Sequence, residues 1–249
     1  MRVHPFPEEK YALEIEDLSL AYHEEAVLWD VDLKIPRGCC CALIGPNGAG
    51  KSTLLQASLG LLRPISGQIH WLGGLFPARR QCIAYMPQQS QVNWDFPLTV
   101  RELVRMGRYP HRHFWQRLKY NDRQIAEAAL ERMGLLALAD HQISELSGGQ
   151  KQRAFLARAI CQDAEIYVLD EPLAGVDIAS ESVIMNCLHD FQAQGKSIIV
   201  VHHDLSSLPR YFNYAVLLNR SILAVGTPDE VLRDEQLRLA YGHERALSC

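Results

Sequence analysis

From Leu13 to Tyr22 the apolar residues alternate in part, with Leu18, Leu20 and Tyr22 in phase, as in a strand with one face buried. Pro36-Arg37-Gly38 reads as a turn, and the unbroken apolar run CCCALIG after it predicts a buried strand. The period then changes. STLLQASLGLL carries helical spacing, Ser66-Gly67 turns into a strand over QIHWLG, and CIAYMP reads as a further short strand. Thr99 and Glu102 are spaced as a capping box at the start of a helix. Ile125, Ala129 and Met133 recur at helical spacing, and Gly134 is placed to end that helix. Between about Asn93 and Ile160 no segment reads as a strand. Strands return with IYVLD (166–170), SIIVVH (197–202) and AVLLN (215–219), the last turning back into SILAVG. Thr227-Pro228-Asp229-Glu230 marks another capped helix start, with proline at its first helical position. Strands alternating with helices predict an α/β fold with a parallel sheet, interrupted by an all-helical insertion.

Composition changes this picture little. The chain has 249 residues, 48% hydrophobic and 22% charged, which suits a folded domain with a sizeable core. A formal net charge of -4 gives no electrostatic reason to expect nucleic acid as a partner. No apolar run approaches the ~20 residues of a membrane span, and MRVHPFPEEK lacks the apolar stretch of a secretory signal. The expected compartment is the cytosol, with docking on a membrane protein left open. The 7 cysteines include the triplet Cys39-Cys40-Cys41 but no C-x-x-C spacing. Neighbours on a strand point to opposite faces, so the triplet is expected to be buried structural thiols rather than a metal or redox site.

The chemistry is concentrated in a few short stretches. Gly45-Pro46-Asn47-Gly48-Ala49-Gly50-Lys51-Ser52 fits G-x-x-x-x-G-K-[ST] between a predicted strand and a predicted helix, the context that motif requires. Its backbone N–H groups would curl around phosphate oxygens at a helix N-terminus. Lys51 would reach the outer phosphates and Ser52 would offer a hydroxyl to Mg²⁺, so the loop is read as binding a nucleoside triphosphate. Far downstream, the apolar strand Ile166–Leu169 ends in Asp170-Glu171, placing Asp170 to hold Mg²⁺ and Glu171 to activate a water on the γ-phosphate. The stretch LSGGQ at Leu146–Gln150 sets two glycines in the first turn of an otherwise good helix, where each costs roughly 1 kcal/mol against alanine. Ser147 and Gln150 can form a capping box, but a cap alone does not call for two glycines.

With these motifs in place, the chain resembles the ATP-binding-cassette (ABC) ATPases over nearly its whole length. The resemblance implies a P-loop NTPase (RecA-like) core with a small antiparallel β subdomain and an all-helical insertion. On that pattern the single domain 1–249 divides into a core at 11–92 and 161–225, a helical subdomain at 93–160 and a helical tail at 226–249. It implies ATP and Mg²⁺ as ligands, held by Gly45, Pro46, Asn47, Gly48, Ala49, Gly50, Lys51, Ser52 and Thr53, with Ser52, Gln88 and Asp170 toward the metal. Tyr22 matches the aromatic that stacks on adenine, and is equally an ordinary strand residue. Gln88 matches the glutamine that senses Mg²⁺ and the attacking water, and His203 the histidine that contacts the γ-phosphate. Ser147, Gly148, Gly149, Gln150 and Asp177 would serve the site of a second copy of the chain. Two positions depart from the family pattern: His202 stands where a threonine is usual, and LAGVD replaces the commoner S-A-L-D. Strand alternation and Asp204 favour His203 over His202 as the γ-phosphate contact.

The resemblance further implies a peripheral subunit on the cytoplasmic face of the cell membrane, working with integral permease subunits and indirectly with a metal-binding solute-binding protein. The stretches NWDFP (93–97), MGRYP (106–110), QISE (142–145) and PLAGVD (172–177) look like those of bacterial zinc, manganese or iron importer ATPases. GRYPH is shared with iron-siderophore, haem and cobalamin importers, which makes that class the alternative. A soluble ABC ATPase and a metal- or redox-binding protein are more remote alternatives. Trp94 and Phe96 are either apolar contacts for a permease helix or local packing. His111-Arg112-His113 with Phe114 and Trp115 is expected to be a flexible polar loop rather than a metal site.

Overall fold

The computed structural model describes residues 10–22, 25–112 and 116–242. In chain order the elements are β1 (Tyr11–Tyr22), β2 (Glu25–Pro36), β3 (Cys40–Ile44), α1 (Lys51–Ser58), β4 (Ser66–Trp71), α2 (Phe76–Arg79) and β5 (Ile83–Met86). Next come α3 (Val100–Arg105), α4 (Tyr120–Arg132), α5 (Gly148–Cys161), β6 (Ile166–Asp170), α6 (Ile178–Ala193) and β7 (Ser197–Val201). The chain closes with α7 (Leu208–Tyr211), β8 (Tyr214–Asn219), β9 (Ser221–Gly226), α8 (Pro228–Val231) and α9 (Asp234–Tyr241). They form two compact units, one from 1–79 with 201–249 and one from 80–200.

The first unit contains an antiparallel sheet in the order β2-β1-β4. Strand β2 has no counterpart among the strands the sequence predicts. Its buried residues, Leu28, Val31, Leu33 and Ile35, step by three and then by two. The odd step coincides with irregular registers between Leu18↔Val31 and Leu20↔Leu28, where a bulge breaks the alternation that marks a strand. Trp71, fully buried on β4, donates its indole N–H to the carbonyl of Ser58 at 2.6 Å and so pins the end of α1 to this sheet. Beside it β3 pairs in parallel with β8, which pairs antiparallel with β9.

Every residue of β3 is buried, as expected of a parallel strand covered on both faces. Cys39, Cys40 and Cys41 are free thiols of this core, and burial pushes those of Cys39 and Cys40 up to about 12. They are the buried structural thiols the sequence predicts.

In the second unit β5 pairs in parallel with β6, and β7 flanks β6. The stretch between β5 and β6 holds α3, α4 and α5 with short 3₁₀ turns, the helical insertion expected from the sequence. The Thr99–Glu102 capping box forms at α3. Gly134, with φ 63°, follows Met133 at the end of α4 in the left-handed conformation that terminates a helix.

His111 and Arg112 correct one expectation. They do not belong to a flexible loop: His111 Nε2 lies 2.6 Å from the carbonyl of Gln162, and Arg112 bonds the buried carboxylate of Asp122 at 2.5 Å. The same carboxylate accepts from Arg108 Nε at 3.2 Å and from the Lys119 N–H at 2.8 Å. Burial alone would raise the Asp122 pKa, but Arg112, the Lys119 N–H and Arg108 outweigh it and hold it at about 2. Arg108 also donates to the carbonyl of Cys161, so this cluster fastens α4 to the end of α5. His113, Phe114 and Trp115 lie outside the described residues.

Candidate functional site

In the first unit the loop 45–50 joins β3 to α1. Gly45 has φ 151°, and a Cβ there would stand 1.9 Å from the carbonyl oxygen of Leu218 on β8. Gly50 has φ 97° and packs so tightly that a Cβ would fall 2.5 Å from the Leu28 side chain. Gly45 therefore needs glycine for close approach as well as for conformation, and Gly50 needs it for conformation. Asn47 and Gly48 form the exposed tip, Pro46 is half-buried and Ala49 is buried. Ala49 accepts from the Arg220 N–H at 3.0 Å, and Arg220 accepts from the Trp29 N–H at 3.1 Å, so β2 and the β8–β9 turn hold the loop from behind.

Helix α1 starts at Lys51 with no side chain capping it, and Ser52 and Thr53 are half-buried in its first turn. Its N-terminal N–H groups and dipole make this end a place for an anion. Lys51, 6% exposed, folds its ammonium back to donate to the carbonyls of Gly45 and Pro46, both at 2.8 Å. A buried ammonium at the first residue of a helix, where the N-terminal N–H groups lack helical partners, is suited to polyphosphate.

The two histidines after β7 part company. His202 is buried, its Nε2 lies 2.7 Å from the Ser207 hydroxyl, its ring rests against Phe212, and its N–H donates to the Leu43 carbonyl. His203 is exposed. Tyr22 ends β1, and its side chain lies outside what is described.

The second unit gathers the acidic residues. β6 is buried throughout and delivers Asp170, fully buried, at its carboxyl end. Tyr85, on the neighbouring β5, has its phenol pushed up to about 12 by burial and by the negative charge of Asp170. Glu171 follows with φ 54°, a left-handed conformation that costs a non-glycine residue about 1 kcal/mol or more. Its carboxylate accepts from Gln88 Nε2 at 2.8 Å, so two residues far apart in sequence meet here.

The LSGGQ stretch forms the start of α5. Ser147 and Gln150 complete the capping box, with Ser147 N–H to Gln150 Oε1 at 2.9 Å and Gln150 N–H to Ser147 Oγ at 3.4 Å. The two glycines differ. A Cβ on Gly149 would lie 3.1 Å from Ser180 Oγ and 3.5 Å from Asp177 Oδ2, so this glycine lets α5 sit against the start of α6. A Cβ on Gly148 would meet nothing closer than the Gly175 carbonyl at 3.7 Å, so packing within the chain leaves room for a side chain there. Ser147 and Gly148 are both exposed. Asp177 caps α6, accepting from the Ser180 N–H at 2.8 Å, and that bond holds its carboxyl below the usual range.

For Trp94 and Phe96 the sequence left two readings open, and Gln152 is absent from it. Trp94 donates its N–H to the Gln89 carbonyl and meets Phe155 edge-on at 5.0 Å, with the Lys151 ammonium over its ring, whereas Phe96 stays 55% exposed. Of the two aromatics, Trp94 packs locally. Gln152 is 2% exposed and donates to the main chain at Glu171. A polar residue on the apolar side of the α5 pattern was its only sequence signal.

The family model for ABC transporters matches residues 28–174. The zinc transport system ATP-binding protein TroB of Treponema pallidum is 47% identical, covering 93% of this chain and 87% of that protein. The chain belongs to the ABC transporter family. It is an ABC-type ATPase, and so binds and hydrolyses ATP. The manganese transport system ATP-binding protein MntB of Bacillus subtilis is 44% identical to this ABC ATPase, covering 93% of each chain. A solved ATP-binding subunit of an ABC transporter superposes with a TM-score of 0.79 at 29% identity, covering 91% of this chain and 94% of that one. The antiparallel sheet, the parallel pairs and the helical insertion described above are thus the ABC ATPase fold.

Proposed function

We propose that this ABC ATPase energises import of a divalent transition metal (zinc, manganese or iron) through separate permease subunits. The observation that carries the cargo is that relatives above 40% identity are ATP-binding proteins of zinc and manganese transport systems. The alternative cargo class, chelated iron or cobalamin, is not favoured by them. The ATPase sits peripherally on the cytoplasmic face of the cell membrane, and a metal-binding solute-binding protein acts through the permease. Among the described residues no helix is long and apolar enough to cross a membrane, in keeping with separate spanning subunits. The exposed Phe96 is the apolar contact offered to a permease helix.

Residues 45–53 hold the triphosphate of ATP, with Lys51 neutralising its outer phosphates and Tyr22 stacking on adenine. Ser52, Asp170 and Gln88 offer the hydroxyl, carboxylate and amide oxygens that Mg²⁺ prefers, and the buried Asp170 carboxylate fits a partner of that charge. Mg²⁺ bound there would neutralise charge on the phosphates. Glu171 takes the proton of the attacking water, Gln88 steers the Glu171 carboxylate, and His203 contacts the γ-phosphate. Ser147, Gly148, Gly149, Gln150 and Asp177 complete the site of a second copy. What supports this last part is the exposed start of α5, the space at Gly148 and Ile178, 83% exposed beside Asp177.

The test is Glu171→Gln, which should keep ATP affinity and lose about 100-fold or more of hydrolysis, since an amide cannot act as a base. Normal turnover by that variant would remove Glu171 from the role. For cargo, the ATPase reconstituted with its permease and binding protein should be stimulated by binding protein loaded with Zn²⁺, Mn²⁺ or Fe²⁺. Stimulation by a chelated iron complex or cobalamin alone would move the assignment to the alternative class.

A further inference from the structure

Helix α5 grips the segment after β6 at two points. Near its N-terminus, Gly149 lies against Asp177 and Ser180. One turn further on, the Gln152 side chain enters the interior and donates through Nε2 to the Glu171 carbonyl at 3.2 Å, and at the limit of bonding to the Ala174 carbonyl at 3.5 Å. The Glu171 carbonyl also accepts from the Ala174 N–H at 3.2 Å, closing a tight turn over 171–174.

Gln152 is 2% exposed, and a buried primary amide is stable only if bonded; its Nε2 bonds the carbonyl of Glu171, the left-handed residue of this turn, and reaches toward that of Ala174. Glu171 is then held from two sides. Gln88 fixes the carboxylate and Gln152 fixes the backbone that aims it. Because Gln152 shares a helix with Ser147–Gln150, its side chain links that helix start directly to the main chain of Glu171.

We propose that Gln152 is a positioning residue for hydrolysis, its amide tying the LSGGQ helix to the main chain of Glu171 and setting the direction of that carboxylate. The proposal rests on the reading of Glu171 as the base.

The experiment compares wild type, Gln152→Met, Glu171→Gln and the double variant, each as the full chain with its permease. Methionine keeps the length of the side chain and removes the donor. Gln152→Met should lower kcat by about 10- to 100-fold, with KM for ATP within about twofold of wild type, as expected when a reacting group is misplaced by about an ångström. In the Glu171→Gln background the same change should lower the residual rate by less than about twofold, because the group it positions no longer acts. Should methionine impair folding, Gln152→Glu serves instead. Its carboxylate cannot donate, but its neutral acid can, so its kcat relative to wild type should rise between about pH 8 and pH 6. A kcat within twofold of wild type, an equal loss in both backgrounds, or a flat pH ratio for Gln152→Glu would overturn the proposal. Those results with an inactive Glu171→Gln would overturn it alone, whereas an active Glu171→Gln would overturn the base reading with it.

Discussion

Gly45 is bounded by the Leu218 carbonyl, which a Cβ would approach to 1.9 Å, and backbone cannot yield there as a flexible side chain would. Gly45→Ala should therefore distort the loop and weaken ATP binding by about tenfold or more, a loss of roughly 1.4 kcal/mol that fluorescent-nucleotide titration would measure. The paired histidines separate packing from chemistry. His202→Ala removes a buried ring bonded to Ser207 and should lower the melting temperature while leaving kcat largely intact. His203→Ala should lower kcat with little effect on melting, since an exposed side chain contributes little to stability. The reverse ranking in a side-by-side assay would transfer the role to His202. At this scale, legibility followed locality. The phosphate loop could be read because its chemistry lies in consecutive residues. Gln152 could not, because its partner is 19 residues away and depends on how α5 meets the turn after β6.

Among elements, the buried strands β3 and β6 were plain from unbroken apolar runs, and the capped helices from their first turns. β2 was not, because its bulge breaks the period by which a strand is recognised. The junction of α4 and α5 was also hidden, since His111-Arg112 reads as the start of a polar loop until Asp122 is seen buried between Arg108 and Arg112. That stretch is scaffold. Asp122→Asn leaves two guanidinium groups without their counter-charge and should cost about 2 kcal/mol or more at neutral pH. The Asp122 pKa is depressed on folding, from 3.8 to about 2. Its contribution is thus present above the unfolded value and lost as pH falls through the folded one. Urea unfolding should show the gap between wild type and Asp122→Asn closing from about pH 4 toward pH 2.

For the whole molecule, the exposed Ser147, Gly148 and Ile178 predict that hydrolysis needs two copies. Specific activity of the isolated ATPase should rise with protein concentration, and a flat dilution series from a monomeric preparation would sink this. The order in which the chain is made adds a further constraint. Cys40, at the start of the strand that carries the phosphate loop, is bonded by the side chain of Asn213, 173 residues later. Leu218 walls Gly45, and Arg220 clamps Ala49. At about 5–20 residues per second a ribosome takes roughly 10–30 s to add that stretch, so β3 emerges long before the partners that shape its loop. A nascent chain stalled short of Tyr214 should hold no ATP, however complete its motifs. The phosphate loop is thus walled only once β8 has been made, so ATP should give no help to the folding of the segments made before it.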